Sequence, residues 1–367
     1  MSTSPHRQGV SVIVPFHRNL EQLTQCLTAL RESARVAAPL VDFIEIIVAA
    51  DGAVQDPTQL AADMGARVVA IDGPRGPAIA RNRAAATAIG SLLVFVDTDV
   101  VVSATALTQF VSLFTDDAAV VAAFGAYDEE PADPGFFSQC RNLAHSFIHQ
   151  RSSREAATFW AGLGAVRAGI FARVGGFDER FGRPCVEDID LGYRIRAAGS
   201  RVVLDSTIQG KHLKRWTLRS SIVSDVRDRG IPWTQLMRRY GGMRNDLNVS
   251  MAYRVCVVVA YALLISVGAA VRWPVTLTAV PMLLGILWSL DRPYYEFFVR
   301  RRGLWFTLRW FPFHVLHHLC NGISFAVGTL LCLLQRRFGV TTQATLPLAQ
   351  WTSGTAPAEA RHSLARV

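Results

Sequence analysis

Two carboxylates stand one residue apart in Phe95-Val96-Asp97-Thr98-Asp99-Val100, directly after an apolar run. Spaced in this way, Asp97 and Asp99 can aim to one side where a strand runs out into a loop. Both ionised and uncompensated, they would repel, and a divalent cation carrying a diphosphate relieves that repulsion. Oxygen ligands suit Mg²⁺ or Mn²⁺, whereas Zn²⁺ would call for sulfur or imidazole partners. An Asp-x-Asp by itself occurs in many chains, and its position after a strand is what points to a metal.

Further candidates lie before and after this pair. Asp51 closes the run Glu45–Ala50, where its carboxylate could accept hydrogen bonds from a base edge or a ribose, or equally cap a turn. Arg81 follows the Gly/Pro turn Asp72–Gly76, with Pro77 near the first position of an Ala-rich helix. It could touch a base or a diphosphate held at that helix N-terminus, or be a solvated surface arginine. Glu187 and Asp188 open a helical pattern continued by Leu191, Tyr193 and Ile195, where acids also favour the helix dipole. Lys211-His212-Leu213-Lys214-Arg215-Trp216 gathers an imidazole and several cations, either beside a diphosphate or as a basic interface staple. Trp160, in Phe159–Gly164, could stack on a sugar face or pack in the core.

The elements that must position these residues alternate strand and helix. Ser11–Pro15, Phe43–Ala49, Val68–Ile71 and Leu92–Val96 are β-rich runs, separated by helical patterns such as Leu20, Leu23, Leu27 and Leu30. The economical fold is α/β, a mostly parallel sheet with helices on both faces. Ligands of such sheets bind beyond the carboxyl ends of the strands, where Pro15, Asp51 and Asp97 fall. Neither a Gly-x-Gly-x-x-Gly after the first strand nor a P-loop is present, which disfavours a dinucleotide dehydrogenase or a P-loop NTPase.

Composition changes along the 367 residues. Half are hydrophobic, 18% are charged, and the mean hydropathy is +0.24, values that point to contact with lipid. Residues 1–210 hold 18 basic and 23 acidic groups, 211–254 hold 10 and 3, and 255–367 again 10 and 3. Positive charge beside apolar segments suits an anionic cytoplasmic leaflet. Without aromatic-basic interleaving or finger spacing, no nucleic-acid partner is expected. The six cysteines form no Cys-x-x-Cys pair and read as buried apolar residues in a reducing compartment. The short run Val10–Pro15 does not read as a secretion signal, so the N-terminal part is expected in the cytoplasm.

Apolar segments at 255–271, 274–290 and 315–334 are candidate spans, the third interrupted by His317, His318 and Asn321. Gly303–Phe313 reads as interfacial, stopping at Pro312. Three spans would leave Arg336-Arg337 outside, against the positive-inside tendency, so the third is a crossing or a surface-lying element. Ser220–Asn248 sets Arg227, Arg229, Arg238, Arg239 and Arg244 among apolar residues and predicts amphipathic helices presenting arginine to lipid phosphates. Residues 335–367 read as a mobile tail.

The series Ser11–Pro15, Glu45–Gly52, Gly76–Asn82, Val96–Asp99, Gly175–Glu179 and Glu187–Arg194 resembles, over residues 9–216, the family 2 inverting glycosyltransferases of GT-A fold. The resemblance implies that Asp51 and Arg81 contact the nucleotide, and that Asp97 and Asp99 contact the sugar nucleotide and its Mg²⁺ or Mn²⁺. It places the general base at Asp188 and a metal-shell histidine at His212, with Lys214 and Arg215 offsetting diphosphate charge. Processive members carry Gln-x-x-Arg-Trp where this chain has His212 and Arg215-Trp216, which argues against a channel-forming polymer synthase. Trp160 and Glu187 are expected on the acceptor side.

The resulting expectation is a GT-A domain over 1–216, with a nucleotide part at about 9–100 and an acceptor part at about 101–216. A basic interface segment (217–254) and a membrane region (255–334) follow. The catalytic domain would face the cytoplasm at the inner (plasma) membrane, in a multi-pass protein resting on an anionic lipid surface. The activity implied is transfer from a nucleotide diphosphate sugar to a hydroxyl of a lipid-linked or membrane-near acceptor. The rivals are a polyprenyl-phosphate glycosyltransferase and a catalytically inactive membrane scaffold.

Overall fold

The computed structural model describes residues 8–241 and 250–338. Its first half is a run of parallel strands: β1 (Val10–Phe16), β2 (Ile44–Asp51), β3 (Arg67–Ile71) and β4 (Leu92–Val96), ordered β3-β2-β1-β4. The connections carry α1 (Leu20–Ala37), α2 (Thr58–Asp63) and α3 (Pro77–Ala85). Alternation along β1 decides which helix each residue meets. Val10, Val12 and Val14 share a core with Leu23, Leu27 and Leu30 of α1, while Ile13 packs in a second core with Ala78, Ala80 and Ala84 of α3. Each fully buried aliphatic side chain is worth about 1.5–3 kcal/mol, so a one-residue register slip in β1 would cost several such terms at once.

The second half adds β5 (Val100–Val102), α4 (Ala106–Asp116), β6 (Val120–Tyr127), α5 (Phe136–Arg151), β7 (Glu155–Ala156), β8 (Leu163–Arg167), α6 (Ala168–Arg173), α7 (Glu187–Ala197) and β9 (Arg201–His212). The sheet continues β4-β8-β6-β9-β5, with β7 beside β9. Here the expected parallel order is refined to a mixed one. β8 runs antiparallel to both β4 and β6, and β9 is parallel to β6 but antiparallel to β5. Only the three residues Asp97–Asp99 separate β4 from β5, too few for a crossover helix, so the acidic turn sits where the sheet changes direction. α7 approaches closely because residue 192 is glycine: a Cβ there would lie 2.3 Å from the Phe159 amide nitrogen.

Helical segments complete the molecule. α8 (Leu218–Val223), a π-helical stretch Ser224–Gly230 and α9 (Ile231–Arg239) form one run, followed by α10 (Met251–Ala269), α11 (Ala279–Leu290), α12 (Arg292–Arg302) and α13 (Leu304–Phe338). α10 and the 304–335 part of α13 are long and apolar enough to cross a membrane. The second expected span is broken: a 3₁₀ turn at Pro274–Thr278 leads into the short α11, which meets α12 at 78°. The third lies inside α13, which continues through Pro312 rather than stopping there. Interior proline costs about 3 kcal/mol. Here Trp310, Phe311 and Phe313 pack with Tyr294, Tyr295 and Phe298 of α12, and that aromatic contact offsets the cost.

The basic segment also departs from a free surface helix. Leu236 is buried against Val186 and Tyr193 of the α/β unit, and the Arg238 Nε donates to Thr329 Oγ1 of α13 at 3.0 Å. Arg227 is exposed and pairs with Asp228. Arg244 and residues 339–367, including most of the expected tail, lie outside the described residues.

Candidate active site

The carboxyl ends of β1, β2 and β4 bring Pro15, Asp51 and Asp97 to one rim, as the strand pattern requires. The Pro15 carbonyl accepts from the Thr98 hydroxyl, which ties the acidic turn to β1. Asp51, almost wholly buried, accepts from the Arg75 amide at 2.8 Å and the Gly76 amide at 2.7 Å. Its first task is therefore to hold the 72–76 loop against the end of β2. Gly76 takes φ +99°, and a Cβ there would meet the Gly182 backbone at 2.7 Å, so the loop is clasped from both sides.

Arg81 is 4% exposed, not solvated. Its guanidinium donates to Asp97 Oδ1 at 2.6 Å and to Glu187 Oε1 at 3.0 Å, and it lies over the Phe177 ring. It thus joins the acidic turn to the start of α7. Glu187, expected on the acceptor side, is committed elsewhere: it pairs with Arg81 and accepts from the Cys185 amide at 2.9 Å.

Asp188 lies next to it and is partly exposed. Its Oδ2 accepts from the Ala161 amide at 3.2 Å. Burial raises its carboxyl first, the Glu187 charge raises it further, and Arg81 and Arg229 only partly counter them, leaving it at about 7. A carboxylate of that basicity can take a proton from a hydroxyl at neutral pH.

On the far side of the acidic turn, Asp99 Oδ2 stands 3.4 Å from His212 Nε2. Residues 100–102 of β5 pair with 210–212 of β9, and the Leu213 amide donates to the Asp99 carbonyl at 2.8 Å. The other ring nitrogen, Nδ1, is 2.7 Å from Asn142 Oδ1, and the ring stacks on Tyr127 with centroids 4.3 Å apart. With Asn142 accepting from Nδ1, Nε2 is the ring atom turned toward Asp99: it can donate to that carboxylate, or offer a lone pair beside it when a cation takes the place of the proton. The separation of the two atoms fits a cation between them. Adjacent ligands of an octahedral ion at about 2.1 Å lie about 3 Å apart. Although burial raises the Asp99 carboxyl, His212 and Lys214 outweigh it and hold it below its ordinary value. Lys214 is exposed over the Trp216 ring and Arg215 is exposed, and neither is paired with an acid among the described residues. Trp160 meets Tyr127 edge-on at 4.6 Å and is half-buried, serving as both core and wall.

Sequence reasoning missed several neighbours. Tyr127, Asn142, His145 and His149 come from β6 and α5, whose polar residues carry no motif. His145 is held well below its ordinary value by burial and by Arg229, and His149 falls to about 4 for the same reasons. The buried ion pair of Arg141 with Asp225 at 2.6 Å, joined by His317 at 2.6 Å, fastens α5, the π-helical stretch and α13 together. Both histidines of α13 that interrupt the third apolar segment thus meet carboxylates: His317 at Asp225, and His318 with its Nε2 3.1 Å from Asp291. Among the described residues, Cys256, Asp291 and His318 are also close enough to share a metal ion, away from the acidic turn.

Residues 11–175 match the family model for glycosyl transferase family 2. The matched residues carry a glycosyl transferase family 2 domain, and they build the α/β sheet with helices on both faces that the sequence pattern leads one to expect. Asp188 and His212 lie beyond the matched residues. Solved structures similar to this chain include GalNAc-T7 with UDP, GalNAc and Mn²⁺, at 15% identity over 66% of this chain and 52% of that one, with a TM-score of 0.45. The match therefore spans about half the length of that relative. Another is the mannosyltransferase PcManGT from Pyrobaculum calidifontis in complex with GDP-Man and Mn²⁺, at 15% identity, 92% and 89% coverage, and a TM-score of 0.46. A mycobacterial protein is similar at 20% identity over 65% of this chain and 76% of that one, with a TM-score of 0.44. No curated protein matches the chain.

Proposed function

We propose that this glycosyltransferase moves a sugar, with inversion, from a nucleotide diphosphate sugar to a hydroxyl of a lipid-linked or membrane-near acceptor. The observation that carries the reading is the Arg81 bridge: one guanidinium holds Asp97 and Glu187, and so sets the basic Asp188 beside the acidic turn. Burial pushes the Tyr127 phenol up first, and the charges of Asp99, Asp97 and Asp188 add to that push.

In the proposed reaction Asp188 takes the proton of the acceptor hydroxyl as its oxygen bonds to the anomeric carbon, while the bond from that carbon to the diphosphate oxygen breaks and the nucleoside diphosphate leaves. Asp99 and His212 would hold Mg²⁺ or Mn²⁺, which would neutralise charge on the departing diphosphate. Lys214 and Arg215, both exposed, would add to that neutralisation, and Arg81 fixes Asp97 for the donor. Asp51 supports the loop against which the nucleotide would lie. Trp160 forms the acceptor wall.

The organisation proposed with this activity is a catalytic domain over 1–216 facing the cytoplasm, a basic segment over 217–254 against anionic lipid, and a multi-pass membrane region over 255–334 at the inner (plasma) membrane. Nucleoside diphosphate release from candidate sugar donors, with lipid acceptors and Mg²⁺ or Mn²⁺, tests it. Wild-type release that disappears in Asp188→Asn and Asp99→Ala, both still folded, supports the reading; full activity in either variant defeats it.

A further inference from the structure

Cys256 of α10, Asp291 between α11 and α12, and His318 of α13 bring a sulfur, a carboxylate oxygen and an imidazole nitrogen within 4.8 Å of one another. The three come from separate helices, and Asp291 is the single residue at the corner where α11 and α12 meet at 78°. Cys256 is a free thiol with no exposure, the His318 side chain is 1% exposed and that of Asp291 12%.

A carboxylate so far from water needs a counter-charge, and buried charges are either paired or bound to a metal. Among the described residues no lysine or arginine pairs with Asp291. Its ion-pair contacts are with His318 Nε2 at 3.1 Å and His314 Nδ1 at 3.9 Å. His314 is already engaged, its Nδ1 standing 2.8 Å from the Tyr295 hydroxyl. His318 is not: its Nδ1 meets no hydrogen-bond partner, and the Tyr253 ring packs against it at 4.7 Å. The polar contact of this buried ring is therefore made by Nε2, which is aimed at the cluster.

The donor set selects the cation. A thiolate, an imidazole and a carboxylate together suit Zn²⁺, whereas Mg²⁺ and Mn²⁺ favour oxygen ligands throughout. Tetrahedral ligands at about 2.0–2.3 Å lie about 3.3–3.6 Å apart, so the Asp291–His318 pair needs only a small widening. Two anionic ligands also cancel the charge of a divalent ion, leaving a neutral complex in a site poor in water. The fourth position falls to a water, and a cavity of about 610 Å³ lined by Asp291 and His314 lies alongside to supply it. On binding, the Cys256 thiol loses its proton and His318 keeps its own on Nδ1, so one proton is released per cation.

We propose that Cys256, Asp291 and His318 hold a Zn²⁺ ion that pins α10 and α13 to the corner between α11 and α12. The site is separate from the acidic turn and does not rest on the transferase reading, since it needs neither nucleotide nor sugar.

The test uses the full chain in detergent, without a polyhistidine tag, stripped by a chelator and then given Zn²⁺, Co²⁺ or Mg²⁺. One Zn²⁺ per chain is expected by elemental mass spectrometry, with a higher Tm than the stripped protein and no such rise with Mg²⁺. Co²⁺ is expected to give the visible bands of a tetrahedral ion and a near-ultraviolet thiolate-to-metal absorption. Cys256→Ser, which keeps the shape of the side chain, should abolish that absorption, and Cys320→Ser should retain it. Losing an outer partner of a metal ligand costs about 10–100-fold in affinity, so Cys256→Ser and His318→Gln should each weaken Zn²⁺ by more than about a hundredfold. The wild-type Co²⁺ spectrum needs no substitution and keeps the test decisive if His318→Gln fails to fold. Substoichiometric Zn²⁺, Co²⁺ bound without the thiolate absorption, or a Cys256→Ser protein that binds as the wild type does would each overturn the proposal.

Discussion

Two arginines flank the same cleft and are held in opposite ways. Arg81, on the nucleotide side, is buried and satisfied by Asp97 and Glu187, so that side is locked before any ligand arrives. Arg229, on the membrane side, is half-buried and has no ion-pair partner among the described residues. A network closed on itself gives preorganisation, and one left open gives a place for an outside charge. Under the proposed reading, the donor end is built as the first kind and the acceptor end as the second.

The comparison breaks most visibly at Asp188, which both arginines influence. Asp188→Asn removes the proton acceptor and is expected to lower kcat by about 10²–10⁴-fold or more, with an unchanged far-UV circular dichroism spectrum. Arg81→Ala is next. It leaves Glu187 and Asp97 without their cation, and breaking a buried pair costs about 3–5 kcal/mol, so a clear drop in Tm should accompany the lost activity. Arg229→Gln, by contrast, should leave Tm nearly unchanged, because no internal pair is broken.

The finest discrimination is in pH dependence. Asp188 must be deprotonated to act, so kcat is expected to rise with pH through about 7 and level off above it. The negative charge of Glu187 pushes that carboxyl up, so Glu187→Gln should move the ascending limb to lower pH. The positive charge of Arg229 pulls it down, so Arg229→Gln should move the limb to higher pH. A pair of shifts in the same direction would contradict the opposed placement of these charges.

Legibility in the sequence followed the same divide. Apolar runs at Glu45–Ala50 and Leu92–Val96 read as strands whose ends must carry Asp51 and Asp97, and because both strands pair in parallel with β1 the two acids end up at one rim. The local spacing of Asp97 and Asp99 shows the turn, but not that Arg81 would be buried against it, since that burial also takes Glu187, 106 positions from Arg81. Glu187 read as an acceptor-side acid because adjacent Glu and Asp look alike in sequence; only the packing of α7, close enough to require Gly192, turns one to Arg81 and the other to the cleft. Pro312 misled in the opposite direction, since its local cost is outweighed by aromatic contacts from α12 that no neighbouring residue announces. The Arg141, Asp225 and His317 cluster, gathered from three distant helices, had no sequence signal at all.

The most direct test of the central claim is nucleoside diphosphate release by the purified full chain, comparing wild type with Asp188→Asn over a pH series in Mn²⁺. Release that rises through about pH 7 in the wild type and is lost at every pH in the variant is the expected result. Release by Asp188→Asn at the wild-type rate, with the same pH profile, would contradict it.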